Sequence, residues 1–289
     1  MRIAFLGIGR MGFPMAQRLC AAGHAVQAWN RSPAKAERLQ QFGASVHATA
    51  AAACAGADYA ITMLEHGEAV ADVLFAQGAA AALPRGALVL DMSSITPAQA
   101  RAQAAQLEAL GLACVDAPVS GGTLGAEQGT LAIMVGASAA HFARSQQVLA
   151  PLGRATHVGP VGAGQLAKLA NQMIVGITIG AVAEALLLCQ KGGADMAQVR
   201  QAISGGFADS RILQVHGQRM VERDFAARAQ MTVQLKDMRN ALGTAAELGF
   251  DAPITALFAQ LYAQGVAHGD AERDHSALFL ELARRNGLH

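Results

Sequence analysis

The sequence predicts an α/β fold, a Rossmann-type doubly wound parallel sheet at the N-terminus followed by an all-α C-terminal domain. Short apolar runs alternate with alanine-rich helical segments through the first half of the chain, the pattern of βαβ units. That alternation stops after about Gly159. From Gly164 to Lys191 a single helical stretch then runs for about 28 residues, roughly 40 Å at 1.5 Å per residue, and joins the two domains.

The elements follow in order. Arg2–Leu6, Ala25–Trp29, Tyr59–Leu64 and Ala87–Leu90 read as short buried strands, with helices over Met11–Ala22, Pro33–Phe42 and Pro97–Leu110. Strands at Leu112–Ala117 and Leu131–Val135, a helix over Ala139–Leu149 and a short strand near Thr156 complete the first domain. Beyond the long helix, Met196–Ser204, Ile212–Glu222, Thr232–Leu248, Pro253–Ala267 and Ser276–Arg284 carry helical periodicity. The boundary is therefore placed at Gly159–Gly164, giving domains of residues 1–161 and 162–289.

Composition narrows the function classes. Of 289 residues, 53% are hydrophobic and 15% charged, a globular, core-rich balance, and the net charge of +1 gives no footprint for nucleic acid or an anionic membrane. The apolar run at the N-terminus is too short for a signal peptide and ends in a glycine loop. Cys20, Cys54, Cys114 and Cys189 are scattered through apolar stretches, which suits a reducing compartment, so the cytosol is expected. The apolar stretch from Met173 to Leu188 is broken by Thr178, Glu184 and glycines, and reads as a buried helix rather than a membrane span. No group of His, Cys and acidic residues has ligand spacing, so no metal site is expected, and His275, Cys189 and Met173 read as structural.

The chemistry starts at Gly7-Ile8-Gly9-Arg10-Met11-Gly12, a G-x-G-x-x-G motif between a strand and a helix. In that setting it marks a Rossmann dinucleotide site. Gly7 permits the turn, Gly9 lets the pyrophosphate approach the backbone, Gly12 allows close helix packing, and the helix amides face the phosphate. At the end of the next strand, where an NAD site usually carries a carboxylate, stand Asn30, Arg31 and Ser32. A guanidinium without a carboxylate favours a 2′-phosphate, so NADP is the expected cofactor, with NAD as the alternative.

Further along, Asp91–Ser94 closes one strand at the sheet edge that should face the cofactor, and Asp116–Gly122 closes the next. The end of the latter, Ser120-Gly121-Gly122, offers a hydroxyl and amides suited to a carboxylate. The chain holds 18 arginines but only four lysines, Lys35, Lys168, Lys191 and Lys236. Lys168 shares a helix face with Asn171 amid apolar neighbours at the domain boundary, a setting for a catalytic ammonium. Lysine is able to cycle a proton at neutral pH, whereas arginine is not.

Together these segments resemble the β-hydroxyacid dehydrogenases, the family of 3-hydroxyisobutyrate dehydrogenase and tartronate semialdehyde reductase. The matching stretches are Phe5–Ala16, Ile61–Leu64, Asp91–Ser94, Asp116–Gly122, Gly129–Gly136, Gly162–Asn171 and Leu235–Asp237, in order through nearly the whole chain. The resemblance implies that Lys168 is the acid that protonates the developing alkoxide and that Asn171 helps orient the substrate. It places Ser120, Gly121 and Gly122 at the substrate carboxylate, Met63, Leu64 and Ser94 beside the cofactor, and Lys236 over cofactor and substrate. Asp274–Leu278, Leu169–Gln172 and Asp91–Ser94 are more similar to tartronate semialdehyde reductases than to 3-hydroxyisobutyrate dehydrogenases. Two departures stand out: Glu65, where the family often has proline, and Asn30-Arg31 in place of an acidic residue.

The expected function is hydride transfer between NADP(H) and a small carboxylate-bearing semialdehyde or β-hydroxyacid. Tartronate semialdehyde is the foremost substrate and 3-hydroxyisobutyrate the alternative. A non-catalytic NADPH sensor would need neither Lys168 nor Asn171, and imine-reducing relatives usually replace the lysine. The apolar long helix exposes more surface than one small domain covers, so a homodimer or homotetramer is expected, with no nucleic-acid or membrane partner.

Overall fold

A computed structural model describes residues 1–288. The chain divides into two compact units, Met1–Lys168 and a second beginning at Leu169. The division between these compact units falls within the helix Ala163–Lys191. The cause is a set of hydrogen bonds that tie the start of this helix into the sheet, with Gly162 N and Gln165 N both donating to the Asp116 carboxylate.

The first unit contains nine strands: β1 (Arg2–Leu6), β2 (Ala25–Trp29), β3 (Ser45–Val46), β4 (Tyr59–Thr62), β5 (Leu88–Asp91), β6 (Ala113–Asp116), β7 (Val119–Ser120), β8 (Leu131–Gly136) and β9 (Gly153–Gly159). Their order is β3-β2-β1-β4-β5-β6-β8-β7, with β9 on β8. From β3 to β6 all neighbours run parallel, while β8 runs antiparallel to β6 and β7. The sequence expectation thus holds for the dinucleotide half of a mixed sheet. Between β7 and β8 lie only the helix Gly122–Gln128 and its turns, shorter than the dozen or more residues a parallel crossover requires. β3 and β7 escaped the sequence reading because two residues cannot display an alternating pattern.

Both faces of the sheet are buried. On β1, Ile3 and Phe5 join one core with Met15 and Leu19, whereas Ala4 and Leu6 join another with Val89 and Leu107. This explains why the strands read as continuous apolar runs instead of alternating ones.

The second unit is helical: Met196–Ile203, Arg211–Glu222, Met231–Glu247, Pro253–Gly265 and Leu278–Arg285. Asp195 and Ser210 accept from backbone amides of the first turn and so fix the starts of two of these helices. Its core gathers Ile179, Leu186, Leu213, Met220, Met238, Tyr262 and Phe279. The helix expected to reach Ala267 passes into a π-helical turn, Val266–Asp270, within which Gly269 takes a non-helical φ of 93°. The long helix is apolar enough to cross a membrane by length and composition, with mean hydropathy 1.9, yet 39% of its most apolar 18-residue stretch is buried within the chain. The expectation of a buried helix is met only in part, since Ile174 and Leu188 lie 66% and 72% exposed.

Gly12 shows how tightly the first helix sits on β1. A Cβ there would overlap the carbonyl oxygen of Gly7 and press on Phe5. Gly12→Ala is expected to destabilise the protein by about 1–3 kcal/mol in urea unfolding, as overpacking does, because the obstacle is backbone.

Candidate active site

The strand order reverses at β1, which pairs with β2 on one side and β4 on the other. In open α/β sheets the crevice at such a switch point, beyond the carboxyl ends of the strands, receives the ligand. The glycine loop leaves β1 at this place. Gly7 has φ +109°, its amide donates to Trp29 O at 3.0 Å, and a side chain there would strike the Met63 carbonyl. Gly9 is exposed, and a Cβ built on it would meet nothing within 4 Å, leaving the loop backbone open to a ligand. Met11, at the N-cap of the helix Gly12–Ala21, makes no side-chain cap hydrogen bond, and the first turn carries no acidic residue. That amide-rich, carboxylate-poor terminus fits a pyrophosphate.

Asn30 is turned inward. Its Oδ1 accepts from Ile8 N at 2.9 Å and its Nδ2 donates to Ser32 O at 3.0 Å, so the amide braces the glycine loop against the end of β2. Arg31 and Ser32 beside it are exposed, as is Arg10. At the end of β4, Met63 and Leu64 are half-buried and Glu65 is exposed. Leu64 N donates to Ser93 Oγ at 3.0 Å, which ties the β4 and β5 ends together, and Ser94 is half-buried next to it.

Beneath this edge lies a buried polar layer. Asp91 Oδ1 accepts from Thr62 Oγ1 at 2.8 Å and from Ser93 N at 3.0 Å, while its Oδ2 meets no donor among the described residues. Gln165 donates from Nε2 to Ser93 O at 2.8 Å and accepts at Oε1 from Ile95 N at 3.1 Å. Burial, moderated by the hydrogen bonds from Ser93 and Thr62 and reinforced by the nearby Asp116 charge, pushes the Asp91 carboxyl from 3.8 up to about 6. Burial likewise raises Asp116, against the amides of Gly162 and Gln165.

Asp116 anchors the long helix. Its Oδ1 accepts from Gly162 N at 2.7 Å and its Oδ2 from Gln165 N at 2.8 Å. Side chains at Gly136 and Gly164 would collide with this carboxylate. From that anchor the helix carries Lys168 to β7, where Nζ donates to Val119 O at 2.9 Å. Val119 immediately precedes the half-buried Ser120 and the exposed Gly121 and Gly122, both at positive φ. The ammonium is thereby held beside the Ser-Gly-Gly turn.

In the second unit Asn171 follows Lys168 by three residues on the same helix. Its Nδ2 donates to Gln172 Oε1 at 2.9 Å, and Gln172 Nε2 donates to Asp237 Oδ2 at 2.7 Å. Lys236 Nζ lies 3.2 Å from Asp237 Oδ1. Ser93, Gln165 and Gln172 lie in the motif stretches but receive no role from the sequence, and Gln234 lies outside them, because a polar residue within an apolar run carries no periodic signal of its partner.

Sequence reasoning also found no ligand cluster, whereas the fold brings His216, Asp274 and His275 within 4.8 Å of one another. Arg219 occupies the place of a cation there, with Nη1 3.1 Å from Asp274 Oδ1 and 3.2 Å from His216 Nδ1. Burial alone would raise Asp274, but the close His216 ring, the charge of His275 and donors on Ser276 and Ala229 hold it well below the usual carboxylate range. The cluster is a buried charge network that pins the segment before the helix Met231–Glu247, since Asp274 Oδ2 also accepts from Ala229 N.

Comparison with known proteins agrees with this geometry. Residues 2–162 match the family model for the NAD-binding domain of 6-phosphogluconate dehydrogenase, and residues 162–282 match that for the NAD-binding region of NADP-dependent 3-hydroxyisobutyrate dehydrogenase. The chain belongs to the 3-hydroxyisobutyrate dehydrogenase family. It is 42% identical to 2-hydroxy-3-oxopropionate reductase of Escherichia coli, over all of both chains. It is 36% identical to 3-hydroxyisobutyrate dehydrogenase of Pseudomonas aeruginosa, covering 96% of this chain and 95% of that one. The solved structure of Mycobacterium tuberculosis 3-hydroxyisobutyrate dehydrogenase with L-serine superposes with a TM-score of 0.89 at 34% identity, over 97% and 98% of the two chains. As a member of this family the protein is an NAD(P)-dependent hydroxyacid dehydrogenase.

The raised Asp91 carboxyl has a pH signature. Below its unfolded value the group is protonated in both states, and as pH rises through about 6 the folded state must ionise a buried acid. Stability is therefore present at low pH and lost between about pH 4 and pH 6, by on the order of 3 kcal/mol. Asp91→Asn should remove that loss, so its stability relative to the parent grows with pH over this window in urea unfolding. A difference that stays flat with pH would refute this assignment.

Proposed function

We propose that this dehydrogenase reduces tartronate semialdehyde, 2-hydroxy-3-oxopropionate, to glycerate, with NADPH as its preferred cofactor. The observation that carries the reading is the Lys168 ammonium held on Val119 O at 2.9 Å, one residue before the Ser120-Gly121-Gly122 turn. An ammonium there, near a hydroxyl and amides suited to a carboxylate, supports the reading that a small semialdehyde acid finds both its proton donor and its carboxylate partner at this turn. The identity to the E. coli 2-hydroxy-3-oxopropionate reductase supports this substrate over others of the family. The P. aeruginosa relative supports 3-hydroxyisobutyrate as the second reading.

The nicotinamide, when bound, supplies the hydride. Gly7, Ile8, Gly9, Arg10, Met11 and Gly12 would hold its pyrophosphate, with Met63, Leu64, Ser94 and Lys236 as further cofactor contacts. Arg31 and Ser32 would take the 2′-phosphate, while Asn30 sets the loop that presents them. Ser120, Gly121 and Gly122 would bind the substrate carboxylate, and Asn171 would orient the substrate. Lys168 gives a proton from Nζ to the aldehyde oxygen as the carbon is reduced, and takes it back in oxidation. In this assignment residues 1–161 form the NADP-binding domain and 162–289 the helical domain for substrate and subunit contact. The exposed Ile174 and Leu188 on the long helix support a homo-oligomer.

Lys168→Ala is expected to lower kcat with tartronate semialdehyde by ~10²–10⁴-fold while NADPH binding, read by fluorescence titration, survives. Turnover near that of the parent enzyme would sink the mechanism. Arg31→Asp should swing the NADPH-to-NADH ratio of kcat/KM towards NADH by about tenfold or more, the scale of one charge-assisted hydrogen bond. An unchanged ratio would reassign the phosphate contact.

A further inference from the structure

The second unit contains a chain of side-chain amides whose direction is fixed by chemistry. Asp237 is ion-paired with Lys236 and, as a carboxylate, only accepts hydrogen bonds. Gln172 must therefore turn Nε2 to Asp237 Oδ2, which it meets at 2.7 Å. Its Oε1 is then an acceptor, and Asn171 must donate to it from Nδ2, at 2.9 Å. A second lock agrees with the first. Gln234, 1% exposed, donates from Nε2 to the Gln172 carbonyl oxygen at 2.9 Å. That leaves Gln234 Oε1 to accept from Gln172 Nε2 at 3.4 Å and from His275 Nδ1 at 3.3 Å.

We infer that Gln172 is a positioning residue that fixes the sense of the Asn171 amide and so makes the enzyme selective for substrates with an α-hydroxyl. The donating end of Asn171 is turned to Gln172, and the planar amide presents Oδ1 on its other side. An acceptor held in that sense recognises a hydroxyl hydrogen and gains nothing from a methyl group. A polar group built to bond a substrate hydroxyl is left unpaired by the analogue that lacks it. The inference rests on the proposal that Asn171 orients the substrate, and it narrows the substrate class to 2-hydroxy-3-oxo acids over 2-alkyl-3-oxo acids.

The test compares kcat/KM for 2-hydroxy-3-oxopropanoate and 2-methyl-3-oxopropanoate, each with NADPH. The parent enzyme should favour the hydroxy substrate. Gln172→Met, which keeps the volume but removes both amide contacts, should cut that preference about tenfold, through the hydroxy substrate alone. The paired change Gln172→Glu with Asp237→Asn moves the carboxylate to position 172. It still accepts from Asn171 Nδ2, so the preference should stay within about threefold of the parent. A Gln172→Met enzyme with the parental preference would overturn the role of Gln172 and leave the substrate assignment standing. Lost preference in the paired variant would do the same, and it tests the inference even if Gln172→Met does not fold. No preference in the parent enzyme would overturn both the inference and the substrate assignment.

Discussion

Asp116 sits at the carboxyl end of β6 and receives two amides from the start of the long helix, Gly162 N and Gln165 N. A carboxylate at a helix N-terminus meets both the unpaired amides and the positive end of the helix dipole. This contact fixes where the helix begins and its rotation about its own axis, and hence where Lys168 lies. The glycines at 136 and 164 follow from it, because a methyl at either position would displace the carboxylate. Next to it, Gln165 ties the same helix turn to Ser93 and Ile95, so the helix that carries Lys168 and the carboxyl end of β5 share one buried polar layer.

Burying carboxylates this way has an electrostatic cost that the structure distributes unevenly. Asp116 is met by several amides, whereas Asp91, its register partner on β5, leaves one oxygen without a donor and takes the larger consequence of burial. The helical unit solves a similar problem differently. Asp274 is equally hidden, but Arg219, His216 and Ser276 crowd its oxygens and keep it charged. Its role is to pin the backbone at Ala229 ahead of the helix that carries Gln234, Lys236 and Asp237.

At the end of β2 the fold gives Asn30 a structural task. An amide able both to accept and to donate holds Ile8 N and Ser32 O at once, which a carboxylate could not do. The glycine loop is therefore braced from the position at which many dinucleotide folds contact the ribose, while Arg31 and Ser32 beside it stay exposed.

The sequence by itself determined the βαβ alternation, the glycine loop, the change to helices after Gly159 and the segments that carry Lys168 and Lys236. Each of these is a local pattern, repeated along the chain or confined to a few residues, and so is readable from order alone. Only the tertiary structure decided that β8 runs antiparallel and that β7 exists, since pairing direction depends on the length of the return path. It alone joined Asp116 to a helix 46 residues away, and Gln172 to Asp237 65 residues on. A buried hydrogen bond depends on where two donor and acceptor atoms meet in space, and nothing in the sequence neighbourhood of either residue records the other.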